Sequence, residues 1–411
     1  MTKSVESLET RKRSQTLHTT LRPLFNLTLY CGMLPNWSDP QEISRARLTL
    51  SWIAVSLTMG TQIGMTLFQI IQLKIPLSSD PDIHSVTFNM LWLIPSVTGL
   101  LIQWSYVTAA RSLVKFLREW RILEESLLSV DLKNRTKLVR GFFYGCTLSM
   151  LIATVISITF LITEKPDSSY LLTHYSFFRR QGTKPLTTLL HIFNVFLTKT
   201  LMAVSDLVPS FFFYHVSRVM RALCDQIKSA HGFTAVIPLV PGTKQTPMCP
   251  SDASKQRIQS LRSNYNRVRK FVNEANGLFG PSMIVSLASK FCFLCLLSYK
   301  TLYGLSHPSG EIFVYCVNFF FFAYDTVSSV LLASQLKKAA SDFRERFSDF
   351  VVDNWSLLSV EAKEAAIAFS HELQVNQLAV KPSNLFTVEP ELLLSIGSLI
   401  TTYVIILLQS D

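Results

Sequence analysis

Thr402-Tyr403-Val404-Ile405-Ile406-Leu407-Leu408-Gln409 closes an apolar segment that opens at Phe386, and between Leu392 and Leu408 that segment carries no charged side chain. As a helix, residues 386–409 would measure about 36 Å, enough to cross a bilayer with some tilt. The chain stops two residues further on, at Asp411, so it is expected to end as it leaves the membrane.

The rest of the chain repeats this pattern. Charged residues are 16% of the total, against roughly 25% in soluble domains, while apolar residues reach 48% with 29 phenylalanines. The apolar residues fall in long blocks. Leu48 to Leu73, Val86 to Ala110 and Gly141 to Thr163 hold no charge; Leu186 to Ser217 is interrupted by Lys199 and Asp206, Leu278 to Tyr299 by Lys290, and Ile312 to Leu336 by Asp325. Each is long enough to span. With the terminal segment they predict an all-α polytopic protein of seven transmembrane helices.

Lys and Arg mark the cytoplasmic side of short loops. Alternate inter-span segments carry 31 basic residues on the side of the amino terminus and 6 on the other. The amino terminus is therefore expected in the cytoplasm and the carboxyl terminus outside. The net charge of +11 is explained by this asymmetry and calls for no nucleic acid. No cleavable signal is expected, because the first apolar run begins near residue 48 behind a polar, basic segment. The predicted outer loops hold none of the seven cysteines, so a disulfide-framed ectodomain is excluded and Cys292-x-x-Cys295 reads as helix packing. Sequons at Asn26, Asn36, Asn134 and Asn354 all fall on predicted cytoplasmic segments and are expected to stay unglycosylated.

Four regions follow: a cytoplasmic segment over 1–47, six helices with long cytoplasmic loops over 48–336, cytoplasmic anchor helices over 337–385, and the last transmembrane helix over 386–411. The cytoplasmic parts are patterned. Residues 254–276 set Ile258, Leu261, Tyr265, Val268 and Val272 on one helical face that runs towards the fifth span. Residues 359–378 open on Ser359 at a cap position, carry Ala362, Ala366, Phe369 and Leu373 at helical spacing, and end before Lys381-Pro382.

The terminal Thr402-Tyr403, five apolar residues and Gln409 closely resemble the TYhhhhhQF ending of the insect gustatory receptors, where h is apolar; Ser410 stands where that family has Phe. The helix bearing Tyr265 that leads to Asn276-Gly277-Leu278-Phe279, Asp206 in the fourth span and Phe386-Thr387-Val388 also resemble that family. The resemblance implies a tetrameric ligand-gated cation channel in the plasma membrane, homomeric or built with related subunits. It implies that the last helix lines the pore, that the cytoplasmic helices anchor the subunits, and that a small-molecule tastant binds between outer helix halves. Val404 stands where the sugar-responsive branch often has Glu, which speaks against a sugar.

On this reading Thr402, Ile406 and Gln409, at i, i+4 and i+7, form the pore face. Trp92, His191, Asn194, Tyr299, Tyr315 and Asn318 offer aromatic faces and polar groups to a ligand. Lys199, Asp206, Lys290 and Asp325 are intramembrane charges, which usually pair with one another. They read as a structural network. The alternative is a monomeric seven-helix receptor or transporter that uses them as a charge pathway. No phosphate loop, HExxH, nucleophile elbow or His/Cys ligand cluster is present, so no enzyme, cofactor or metal is expected.

Overall fold

The computed structural model describes residues 45–74, 83–127, 184–228, 250–306 and 312–409, with scattered positions between 148 and 159. Most of the third predicted span, the loop at 238–250 save its last residue, and the sequons at Asn26, Asn36 and Asn134 lie outside the described residues. The described residues form helices and the turns that join them, with no strand among them. The helices are α1 (Arg45–Lys74), α2 (Ile83–Leu127), α3 (Lys184–Lys228), α4 (Pro250–Ser306), α5 (Ile312–Asp353), α6 (Val360–Val375) and α7 (Pro390–Gln409), with 3-10 turns at Trp355–Leu357 and Pro382–Asn384.

The first helix shows what kind of solvent the fold is built for. Its buried stripe is Ser51, Val55, Thr58, Gln62 and Thr66, spaced three and four residues apart, whereas Leu50, Trp52, Ile53, Leu57, Ile63 and Leu67 are exposed. A soluble helix buries the apolar side. Here the polar side is buried, and its amide groups donate inside the bundle: Gln62 Nε2 to Thr198 Oγ1 at 3.2 Å and Gln103 Nε2 of α2 to Thr58 Oγ1 at 2.6 Å. The outward apolar face suits lipid. Five of the described helices contain stretches long and apolar enough to cross a membrane.

The central element is α3. Every residue from Leu197 to Met220 is buried, because α2, α4 and α5 pack around it and α1 touches its amino-terminal half. Its Pro209 sits inside the helix, where surrounding helices compensate for the lost backbone hydrogen bond. Trp120 and Phe116 of α2 meet Phe212 of α3 with ring centroids 5.0 and 5.1 Å apart. These rings lie towards the basic end of the bundle.

At that end α4 and α5 run on well past their apolar stretches. The amphipathic segment 254–276 and the span that follows are one continuous helix of 57 residues, and the division at residues 336/337 falls inside α5. Helix α6 packs across both extensions. Ser359 caps it, its Oγ accepting from Ala362 N at 3.3 Å, and Ala362, Ala366, Phe369 and Leu373 are its buried residues. Tyr265 stacks on Phe343 at 5.6 Å, and Phe369 sits edge-on to both Tyr265 (5.7 Å) and Phe347 (4.8 Å). Asn354 closes α5, its Nδ2 donating to Phe350 O at 2.8 Å from a buried position. A glycan there would require breaking that cap, so Asn354 does not report on which side of the membrane it lies.

Candidate functional site

Three places in the bundle carry the residues of interest. The first is α7, which packs against α4 and α5 along one stripe: Leu393, Ile396, Ile400, Val404 and Leu407 are buried or half-buried. Val404 alone is fully buried. Thr402, Ile406 and Gln409 are exposed, and at 100° per residue they centre on the side opposite Val404. Thr402 Oγ1 returns a hydrogen bond to Ser398 O at 3.0 Å, so its hydroxyl is satisfied within the helix.

The second place is the charge cluster where α3, α4 and α5 meet. Lys290 of α4 forms ion pairs with Asp206 of α3 and Asp325 of α5. Ser286, one turn before Lys290, donates to Asp206 Oδ2 at 3.0 Å. Seven residues earlier on both α3 and α5 lies a second polar layer, in which Lys199 Nζ donates to Asn318 Oδ1 at 2.7 Å. That layer is about 10 Å away along the helices. Lys290 thus joins the two aspartates, and Lys199 joins Asn318, a residue the sequence reading assigned to the ligand set. The i, i+7 repeats Lys199/Asp206 and Asn318/Asp325 are the signal that these residues share one face of each helix.

The remaining ligand candidates are spread over four helices. Tyr299 is buried, with its ring 6.1 Å from Tyr303, and Tyr315 is half-buried against the apolar core. Trp92 lies on α2 and His191 and Asn194 on α3, with side chains outside the described residues. Cys292, Cys295 and Cys316 are free thiols.

The third place went unnoticed in the sequence: the strap of residues 376–389 that joins α6 to α7. Asn276 of α4 holds it with both ends of its amide, Nδ2 donating to Ala379 O at 3.1 Å and Oδ1 accepting from Lys381 N at 2.9 Å. Tyr265 Oη donates to Asn376 O at 2.9 Å. Burial pushes the Tyr265 phenol up to about 12, so it remains a donor throughout the physiological range. Glu372 sits between Arg262 (2.8 Å) and Arg269 (3.2 Å); its partial burial works upward, but the hydrogen bonds and charges of its neighbours hold its carboxyl below the usual range. Further on, Val388 N donates to Val380 O at 2.9 Å and Lys337 of α5 bridges to Glu389 at 2.6 Å. The foot of α7 is thereby tied to α4 and α5.

Within the strap Ser383 (φ 46°) and Asn384 (φ 60°) are left-handed, a conformation that costs a Cβ-bearing residue about 1–2 kcal/mol. The turn they make lies directly on Gly280. A Cβ at Gly280 would stand 2.3 Å from Ser383 N, whereas one at Gly277, a turn earlier, would meet nothing within 4 Å. Gly280→Ala is therefore expected to destabilise the purified protein by about 1–3 kcal/mol, as overpacking against backbone does. Gly277→Ala is expected to stabilise it by about 0.5–1 kcal/mol through helix propensity. Thermal unfolding of both variants in detergent checks the opposite signs.

Residues 21–411 match the family model described as 7tm chemosensory receptor. The chain belongs to that family. This chemosensory receptor also has the fold of a solved relative, the insect olfactory receptor OR5 from Machilis hrabei. With OR5 in complex with eugenol the TM-score is 0.70 at 12% identity, over 96% of this chain and 99% of that one. A second OR5 structure agrees at a TM-score of 0.70 and 13% identity over the same shares. At such identities the likeness speaks for the fold: an all-helical, multi-pass arrangement. No individually curated protein matches the chain. Family membership carries a receptor function, not a catalytic one.

Proposed function

We propose that this chemosensory receptor is a gustatory receptor of the plasma membrane, a subunit of a tetrameric cation channel opened by a small-molecule tastant. Its amino terminus faces the cytoplasm and its last helix, α7, lines the pore. The observation that carries this reading is the division of α7 into two sides. One narrow stripe packs on its own subunit, and the side holding Thr402, Ile406 and Gln409 is left open over the full length of the helix. Fourfold symmetry would turn such a side into rings around an axis, with Ile406 closing the path by dewetting and Gln409 forming a polar ring at the mouth.

The basic end supports assembly through the same subunit. Leu357, Val360, Ile367 and Val375 on and around α6 are exposed by 57–69%. Apolar side chains outside the bilayer in this number mark a surface that another protein chain covers, and an anchor between subunits covers it. On this reading the ligand binds at the opposite end of the bundle, with Trp92, His191, Asn194, Tyr299, Tyr315 and Asn318 as the candidate contacts, the last of them held by Lys199.

In mild detergent the protein is expected to run at the mass of about four chains. Expressed alone in a cell lacking other chemosensory receptors, it is expected to pass ligand-evoked cation current without an added G protein. A fully active monomer would remove the pore from α7 and favour the single-subunit receptor or transporter. An amino-terminal tag that stains on intact cells would reverse the orientation.

A further inference from the structure

The charges at the junction of α3, α4 and α5 do not balance where they meet. One ammonium, Lys290, faces two carboxylates, Asp206 and Asp325, and the three side chains are exposed by no more than 3%. With every group ionised, the cluster would carry a buried charge of −1. Carboxylates that share one desolvated site do not both ionise readily. The two are also unequally supported. Asp206 receives Ser286 in addition to Lys290, whereas Asp325 Oδ1 is buried and accepts no hydrogen bond from any described residue.

We propose that this cluster is a proton-binding site, with one proton shared by the carboxyl pair and resident on Asp325 in the resting receptor. The proposal goes beyond the channel reading, since it holds for this bundle whether or not α7 lines a pore. The ionised Asp206 then neutralises Lys290, and the cluster carries no net charge.

Among the described residues, the neighbours on each packed element offer no other source of balance at that layer. From α4 come Lys290 and Ser286; from α3, Asp206; from α2, Tyr106, whose Oη lies 3.5 Å from Ser205 O beside Asp206. On α5 itself, Thr326 Oγ1 is committed to Phe322 O at 2.7 Å. The ionisable groups of α7 are Glu391 at its foot and the exposed Tyr403. Lys199, His215, Arg218 and Lys300 stand two or more turns away along their helices.

The sign of the pH dependence follows from linkage. In the unfolded chain both aspartates are solvated and ionised at neutral pH, so folding takes up a proton, and stability falls as pH rises through the titration of the folded cluster. Each pH unit between the ordinary aspartate range and that titration shifts the unfolding equilibrium up to tenfold, the slope of one proton, and above the titration the slope vanishes.

The experiment compares the full-length parent with Asp325→Asn, Asp206→Asn, the double variant and Lys199→Gln, by surface expression and by thermal unfolding in detergent from about pH 6 to 9. Either single Asn variant is expected to reach the surface at the parental level, since the remaining aspartate ionises against Lys290, and the double variant is expected to lose at least tenfold. Asp325→Asn is expected to lack the one-proton slope of the parent and to be the more stable of the two at high pH. The parent's infrared spectrum is expected to contain a protonated-carboxyl C=O band that shifts in deuterium and is missing from Asp325→Asn. If Asp325→Asn is lost from the surface as the double variant is, both carboxylates act as anions and the proposal fails. It also fails if the two pH slopes are parallel, or if Lys199→Gln alone reproduces the loss, for then Lys199 supplies the balancing charge.

Discussion

Replacing Lys290 by Met is expected to remove the receptor from the cell surface almost entirely, the largest effect of any single substitution considered for this chain. Lys290 is 0% exposed and is the contact that lets Asp206 and Asp325 be buried at all. Taking one partner from a buried ion pair costs about 3–5 kcal/mol, because the charge left behind has neither water nor counter-ion. That is a large share of the roughly 5–15 kcal/mol that holds a folded protein together. A loss of packing alone would behave differently, since Met fills nearly the same volume as Lys. The decisive comparison adds Asp206→Asn and Asp325→Asn to Lys290→Met. The triple variant has no buried charge, and replacing a whole ionic cluster by neutral groups of like shape is commonly near neutral. Surface biotinylation is expected to show the triple variant recovered to at least half the parental level, with Lys290→Met below a tenth. If the triple variant is as poor as Lys290→Met, the cluster contributes through shape and not through charge.

How far these features were legible in the chain depended on whether they are local. The terminal helix could be read because a 3.6-residue period turns Thr402, Ile406 and Gln409 into one face without knowledge of any neighbour. The same holds for Tyr265, Val268 and Val272 on α4 and for the Ser359 cap of α6. Pairing between helices is different. Depth in the membrane grouped Lys199 with Asp206, Lys290 and Asp325, but depth does not say which faces of α3 and α5 meet. The structure joins Lys199 to Asn318 and leaves Lys290 to join the aspartates. The strap was hidden for the same reason. Lys381-Pro382 marks the end of a helical pattern, yet nothing local says that Ser383 settles on Gly280 or that Asn276, over a hundred residues away, bonds Ala379 and Lys381. The buried polar stripe of α1 was also missed. Its run from Leu48 to Leu73 reads as evenly apolar, and only the packing shows that Ser51, Thr58, Gln62 and Thr66 turn inward.

If α7 lines a pore as proposed, substituting Gln409 is expected to change what passes through it, not how much ligand is needed to open it. Gln409 is exposed on the subunit, on the face with Thr402 and Ile406 and away from the stripe around Val404. In a fourfold assembly any change there is made four times in one ring. Gln409→Glu would add a carboxylate from each subunit. Each contributes roughly 1 kcal/mol to a cation 4 Å away in water, about fivefold in local cation concentration. Cation over anion permeability is therefore expected to rise several-fold. Gln409→Trp is expected to lower single-channel conductance by narrowing the same ring. Substitutions at Trp92 or Asn194 are expected to do the reverse, shifting the ligand concentration for half-activation while leaving open-channel conductance unchanged. Reversal potentials and unitary currents from receptors confirmed at the surface separate the two. Tyr403 lies on the flank of α7 and Leu407 on its packed stripe. If Gln409 variants conduct like the parent while changes at Tyr403 and Leu407 control permeation, the pore axis lies against the stripe that the isolated subunit buries, and α7 would have to turn by roughly half a revolution when the channel assembles.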